Sequence, residues 1–257
     1  MDYKFRKPPI QELICGVQYK NINLSLPIIN EFYTGIKEEF PKIEEKQALG
    51  FIAYSMKDAD EKILQLKNDA IVRYWFLKKD DTQLIQLQKN RYHYNWRRLG
   101  NENETYPHFK NVFDEFKTNF EKFKNHVNNY KQNIEINYLE ITFLDHIKVS
   151  DFGDKLKVDE IFTFLKNDNI LAKADGFQIT YRVPIEICDG NYQLTAYTAI
   201  KEGSKDLIII LNTTLNGKLN DKSNNYETWF KNAHDIIKNE FYNQITGKAK
   251  KIWGEEK

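Results

Sequence analysis

The sequence predicts an α+β fold of two successive β-α-β-β-β-α halves, with antiparallel sheets packed on long helices. Three observations carry that expectation. Apolar and polar residues alternate through several short runs bounded by turn-forming residues, as half-buried strands require. Two long stretches, opening near Tyr106 and near Tyr226, instead space aromatic residues for one face of a helix. The order of these runs then repeats, so residues 1–131 and 132–257 read as a first and a second α+β half, either separate or joined in one continuous domain.

In the first half, Pro8-Pro9 precedes a strand over Ile10 to Tyr19, where Leu13, Cys15, Val17 and Tyr19 alternate with Ile14, Gly16 and Gln18. A helix follows, with Pro27 in its first turn, Phe32, Ile36 and Phe40 in one stripe, and Pro41 limiting it. Leu49 to Met56 reads as a second strand and Lys57 to Asn68 as a polar connection. Val72 to Leu77, the turn Lys78-Lys79-Asp80-Asp81 and a long run from Thr82 to Arg98 read as a hairpin. Period-two alternation in that second strand sends Gln86, Gln88, Tyr92, Tyr94 and Trp96 one way and Lys89, Arg91, His93 and Asn95 the other. Either a bulge swaps the faces near Lys89 or the sheet presents a mixed surface. Pro107 then lies in the first turn of a long helix with the stripe Phe109, Phe113, Phe116, Phe120, Phe123 and Val127.

The second half offers a strand over Ile134 to Ile147, a short helix over Val158 to Asn167, strands over Phe177 to Ile187, Tyr192 to Ile200 and Leu207 to Leu215, and a helix over Tyr226 to Ile245. The two closing helices share F-K-N-x-x-D-x-x-K-x-x-F, carried by Phe109, Lys110, Asn111, Asp114, Lys117 and Phe120 and, at a constant offset, by Phe230, Lys231, Asn232, Asp235, Lys238 and Phe241. Repeated element order with a repeated helix pattern points to internal duplication.

Composition narrows the function classes. Lysine and arginine number 38 against 37 aspartates and glutamates, so no global field draws the chain to nucleic acid or an anionic membrane, and a basic patch must be local. The amino terminus lacks an apolar signal segment, and the longest aliphatic run, Leu207 to Leu211, is far short of the roughly 20 residues of a membrane span. Cys15 and Cys188 show no metal-ligand or redox spacing, so reduced core thiols and a cytoplasmic location are expected.

No phosphate loop, nucleophile elbow, HExxH, CxxC or kinase set is present, so no catalytic residue, cofactor or metal is assigned. Glu12, Glu135, Glu140 and Glu186 interrupt strands and read as an outward face, while Glu44-Glu45 reads as a solvated pair at a helix end. His108 and His126 read as solvated and His234 as core-facing. The concentrated chemistry lies in Gln86, Gln88, Lys89, Arg91, Tyr92, His93, Tyr94, Arg97 and Arg98, where amides, cations and aromatic rings alternate, the mixture that holds phosphates and stacks bases. Asn95, Trp96, Tyr106, Pro107 and Phe109 read as structural, with Trp96 locking the start of the long helix and Asn95 bonding loop backbone.

The segments PPIQELICGVQY, QLIQLQKNRYHYNWRR and YPHFKNVFDEF resemble an uncharacterised, sporadically distributed bacterial protein family of similar length. Its motifs PPI-x-E, QLQ-x-x-R-x-x-x-NWR and YP-x-F fall on Pro8, Pro9, Ile10 and Glu12, on Gln86, Leu87, Gln88, Arg91, Asn95, Trp96 and Arg97, and on Tyr106, Pro107 and Phe109. The resemblance is anchored in the first half. It implies the patchy occurrence of genes in mobile or defence islands, and no activity.

The expected function is a non-catalytic binding or interaction protein, in a bacterial defence or mobile-element system. An extended polyanion or a partner protein is expected to cross Arg91 and Arg97, which share one strand row about 20 Å apart. The alternatives are an enzyme acting on a nucleotide or other phosphorylated small molecule and a single-stranded nucleic-acid binding protein.

Overall fold

The structure is a computed structural model and describes residues 3–49, 72–100, 105–165, 174–219 and 225–256. The elements are β1 (Lys4–Phe5), β2 (Ile10–Tyr19), α1 (Leu26–Ile36), β3 (Lys42–Gln47), β4 (Val72–Leu77), β5 (Gln83–Gln88), β6 (Arg91–Arg97) and α2 (His108–Asn128), then β7 (Ile136–Lys148), α3 (Val158–Ile161), β8 (Gln178–Ile185), β9 (Gly190–Ile200), β10 (Leu207–Lys218), α4 (Tyr226–Gln244), α5 (Gly247–Ile252) and β11 (Glu255–Glu256). The chain is α+β, as expected, with one large antiparallel sheet and five helices among the described residues. Nine strands run in the order β3-β4-β5-β6-β2-β7-β10-β9-β8, while β1 pairs with β11 in a separate two-stranded ribbon that joins the two ends of the chain. In each half the first strand pairs with the last, β2 with β6 and β7 with β10, and β2 and β7 join the two sets.

Odd residues of β2 and β7 face the helices, and there Leu13, Cys15, Val17, Leu139 and Ile141 are fully buried. α2 lies on this face because its phenylalanine stripe meets the even residues of β6. The Tyr92 ring sits 5.2 Å from Phe120 and 5.5 Å from Phe123. α1 adds Ile29, Phe32 and Ile36, and α4 adds Trp229, Phe230 and Ile237. Each such side chain contributes about 1.5–3 kcal/mol by leaving water. Both cysteines are buried and unpaired, as expected.

Several boundaries differ from the sequence reading. The run Thr82 to Arg98 is two strands rather than one. A tight turn at Lys89-Asn90 reverses the chain, with the Lys89 and Asn90 carbonyls accepting from the Ile22 and Tyr19 amides. The reversal brings Gln86 opposite His93 and Gln88 opposite Arg91, so amides and cations share one face while Tyr92, Tyr94 and Trp96 take the other. No bulge is needed. Residues of the expected strand beyond Leu49, and the polar connection to Asn68, lie outside the described residues. A strand that the sequence reading did not include forms over Lys42–Gln47, and Glu44-Glu45 sits in it rather than at a helix end or turn. Its charge suits an exposed sheet edge, where lysine and glutamate discourage pairing with another chain. The short helix of the second half covers only Val158–Ile161, and Phe162 leaves it in extended conformation to bridge Ile245.

Trp96 is 4% exposed and its ring lies 5.4 Å from that of Tyr106, just before α2. Trp96→Ala is expected to lower unfolding free energy by about 3–5 kcal/mol in urea titrations; a loss below about 1 kcal/mol would show that the ring does not anchor α2.

Candidate functional site

The face of the sheet opposite the helices is polar, and much of it is nonetheless buried. Register alone assembles it. Gly16 of β2 stands between His93 of β6 and Glu140 of β7; Gln86 lies beyond His93, and Asn216 beyond Glu140. The flanking rows add Arg91 and Gln18 on one side and Asn95, Ile14, Thr142, Thr214 and Gln193 on the other. A cleft of about 610 Å³ opens over these residues, lined also by Leu49, Arg73, Arg182 and Asn212.

Gly16 makes room for the site. A Cβ there would stand 2.5 Å from His93 Cδ2 and 2.8 Å from Nε2, so the imidazole lies across the space a side chain would fill. His93 and Glu140 are one strand removed on either side, and their Cα atoms are therefore about 10 Å apart at the usual strand spacing.

A chain of hydrogen bonds orients one flank. Arg73 Nη1 donates to Gln86 Oε1 (2.7 Å), Gln86 Nε2 to Asn95 Oδ1 (2.9 Å), and Asn95 Nδ2 to Glu12 Oε1 (2.6 Å). On the other flank the Thr142 and Thr214 hydroxyls meet at 2.8 Å, and Arg182 Nη2 donates to Gln193 Oε1 at 2.9 Å. Between the flanks, His93 Nε2, Glu140 Oε2 and Asn216 Oδ1 are buried and have no hydrogen-bond partner among the described residues. Leaving such groups unsatisfied costs about 1–3 kcal/mol each, which is a reason to look for a ligand that satisfies them.

Burial pushes the Glu140 carboxyl above the ordinary range, against the lowering effects of the Arg91 charge and the Thr142 hydroxyl. Burial, aided by the Arg91 and Arg73 charges, holds His93 well below the usual imidazole range, so the ring is neutral at pH 7. The site therefore offers arginine cations, a neutral imidazole and carbonyl or carboxyl acceptors within one cleft.

Gln86, Gln88, Arg91, His93 and Arg97 all lie on this polar face. Arg91 is 2% exposed, so it does not stand on an open surface row as expected. Arg97 is half-buried at the margin, with Nε donating to the Asp81 carbonyl and its guanidinium over the Trp75 ring. Lys89 belongs to the turn. Tyr92 and Tyr94 are in the core under α2, and Arg98 lies on the helix side, over Trp96. Asn95 bonds Gln86 and Glu12 across the sheet rather than loop backbone. Tyr106 packs on Trp96, Pro107 precedes the first turn of α2, and Phe109 stacks on Phe113 and His234. His126 is not simply solvated, since its Nε2 lies 2.8 Å from the Ile28 carbonyl between α1 and α2.

The sequence reading passed over Arg73, Thr142, Arg182, Gln193, Asn212, Thr214 and Asn216, and took Glu140 for part of an outward face. A signal existed in β10, where Asn212, Thr214 and Asn216 repeat at period two beside the buried row Leu211, Thr213 and Leu215. Such alternation reads as a solvated face, and only the cleft shows otherwise. No metal-binding cluster of histidine, cysteine or carboxylates occurs among the described residues, and no helix among them is long and apolar enough to cross a membrane.

No protein-family model matches the chain and no curated protein matches it.

A depressed folded pKa at His93 means that the unfolded chain takes up the proton first. The stability this neutral ring supports is full above about pH 6.5 and is lost as the pH falls below it. His93→Gln is expected to reduce the fall in Tm between about pH 7.5 and about pH 5 in differential scanning calorimetry. It should not abolish that fall, because His146 and His234 are lowered in the same direction. An unchanged slope would show that the ring ionises without cost.

Proposed function

We propose that the protein is a non-catalytic binding protein whose polar sheet face holds a small, hydrogen-bonding ligand that carries an anionic group. The observation behind this reading is that buried polar atoms of His93, Glu140 and Asn216 have no hydrogen-bond partner among the described residues, in a cleft flanked by Arg73, Arg91 and Arg182. Buried polar atoms without partners are uncommon in folded proteins, and a volume of about 610 Å³ lies within the roughly 300–1,000 Å³ of small-molecule sites. The guanidinium groups suit a phosphate or carboxylate, and Glu140 and Asn216 suit donors elsewhere on the same molecule. Enclosure of Arg91 favours this ligand over an extended polyanion or a partner protein. The bacterial defence or mobile-element setting rests on the motif resemblance, and a cytoplasmic location on the two buried free thiols.

We also infer that the two halves arose by duplication. The offset that relates the closing helices carries Phe109 and Phe113 onto Phe230 and His234, and the observed ring contacts are the exchanged pairs, Phe109 with His234 at 4.1 Å and Phe113 with Phe230 at 5.0 Å. The same offset carries Arg91, His93, Asn95 and Arg97 of β6 onto Asn212, Thr214, Asn216 and Lys218 of β10, which occupy the polar face of the other half. The cleft thus straddles the junction of the halves, with cations concentrated in the first and amides and hydroxyls in the second.

A second reading, an enzyme acting on a phosphorylated small molecule, is favoured by one observation: His93 Nε2 and Glu140 Oε2 flank Gly16 with no hydrogen-bond partner among the described residues, as an acid and a base would. Turnover of any compound that binds, lost in His93→Gln, would select it.

Thermal-shift and calorimetric titration with inorganic phosphate, nucleoside phosphates and sugar phosphates tests the main reading. At least one compound should raise Tm, and Arg73→Ala or Arg182→Ala should weaken it by roughly tenfold or more, the value of a charge-assisted hydrogen bond. Gly16→Ala, which drives the His93 ring from its place, should weaken the same compound with little loss of stability. Binding unaffected by all three changes would place the ligand elsewhere.

A further inference from the structure

The helix side of the sheet carries a second, independent cleft. It begins with one interruption of an apolar row. Leu139, Ile141 and Phe143 of β7 point toward the helices, and the next residue of that row is Asp145, only 5% exposed and opposed by Ile10 and Leu211 on the neighbouring strands. Above it a cavity of about 500 Å³ lies between the amino-terminal segment, the first turn of α2 and the middle of α4. Its walls are mostly aromatic. Phe109 and the His234 imidazole stack at 4.1 Å with planes 9° apart, Phe143 lies 6.2 Å from the same imidazole, and Tyr3, Phe5 and Phe241 close the other side.

Two buried polar groups lie on this surface. The Asp145 carboxylate is 5% exposed, and the charge acting on it is that of Arg98. The buried Tyr106 hydroxyl has no hydrogen-bond partner among the described residues. A carboxylate buried beside an aromatic cavity is costly, which is a reason to look for a ligand that answers it.

We propose that this cleft binds a small organic cation, an amine or quaternary ammonium with an apolar body, its charge against Asp145 and its body between the aromatic walls. Ring faces attract cations, and an aromatic cage closed by a carboxylate combines that attraction with a direct ion pair. The other charges do not favour the opposite sign. Lys110 is engaged by Asp114 at 2.6 Å, Lys238 leans over the Tyr3 ring, and Lys4 lies at the exposed mouth. Burial holds His234 below the usual imidazole range, so the wall it forms is neutral at pH 7. Burial also pushes Asp145 up to about 7, against the lowering effect of the Arg98 charge, so that charge does not fully offset the burial.

Calorimetric titration of the full chain with four probes of one shape decides the matter: 2-phenylethylamine, phenyltrimethylammonium, 2-phenylethanol and 3-phenylpropionate. The two cations should bind at one per chain, each at least tenfold more tightly than the alcohol and the acid. Asp145→Asn, which keeps the shape and removes a buried charge, should bring the cations to the level of the alcohol, and Ile237→Trp should block every probe by filling the cleft. Glu140→Gln on the opposite face should change none of these affinities, which separates this cleft from the polar one. Preference for 3-phenylpropionate, cation binding unchanged in Asp145→Asn, or no saturation by either cation up to about 10 mM would each overturn the proposal.

Discussion

The antiparallel pairing of β2 with β7 is the contact on which both clefts depend. It joins the strands of the two halves into one nine-stranded sheet, and its register sets Gly16 opposite Glu140 and Cys15 opposite Ile141. Side chains alternate along a strand, so a slip of one residue would turn Glu140 into the phenylalanine core and Ile141 onto the polar face. The same register directs Asp145 to the helix side, beneath α2 and α4. An irregularity in β2 between Ile10 and Glu12 absorbs one residue at this end and lets the chain turn toward the helices.

A sheet with helices on one face ordinarily gives its other face to water. Here that face is buried and still polar, which requires internal compensation. The bonds from Arg73 through Gln86 and Asn95 to Glu12 provide it on one flank, because each amide in the series both donates and accepts and so has a single useful orientation. Burial raises the Glu12 carboxyl, while the Asn95 hydrogen bond and the Arg97 charge act to lower it. In the centre the compensation stops. Among the described residues His93 Nε2, Glu140 Oε2 and Asn216 Oδ1 have no hydrogen-bond partner there.

The helix side supplies the rigidity that such a surface needs. Phe113, Phe116, Phe120 and Phe123 form a continuous column along α2, with successive rings of the first three 5.6 to 5.8 Å apart, and Tyr92 is wedged beneath them. Because Tyr92 lies between Arg91 and His93 on β6, packing on one side of the strand holds the polar residues on the other. Stacked aromatic columns resist repacking, since each ring has few alternative rotamers in a dense interior.

Local pattern by itself determined most of the elements. Period-two alternation located β2, β4, β7, β9 and β10 to within a few residues, and the phenylalanine stripe with Pro107 located α2, because these signals depend only on near neighbours in the chain. The candidate site was legible in part: Gln86, Gln88, Arg91, His93 and Arg97 do share one face. Their grouping was hidden because a two-residue turn at Lys89-Asn90, with no glycine to announce it, inverts the parity of every residue after it. Glu140, Asn216 and Arg73 were out of reach for a different reason. Each looks like an ordinary outward side chain in its own strand, and only the pairing of β4 with β5, β5 with β6, β6 with β2, β2 with β7 and β7 with β10 brings them to one face with Gly16. Burial of a polar face and the choice of neighbour for each strand are properties of long-range contacts, so tertiary structure alone decided them.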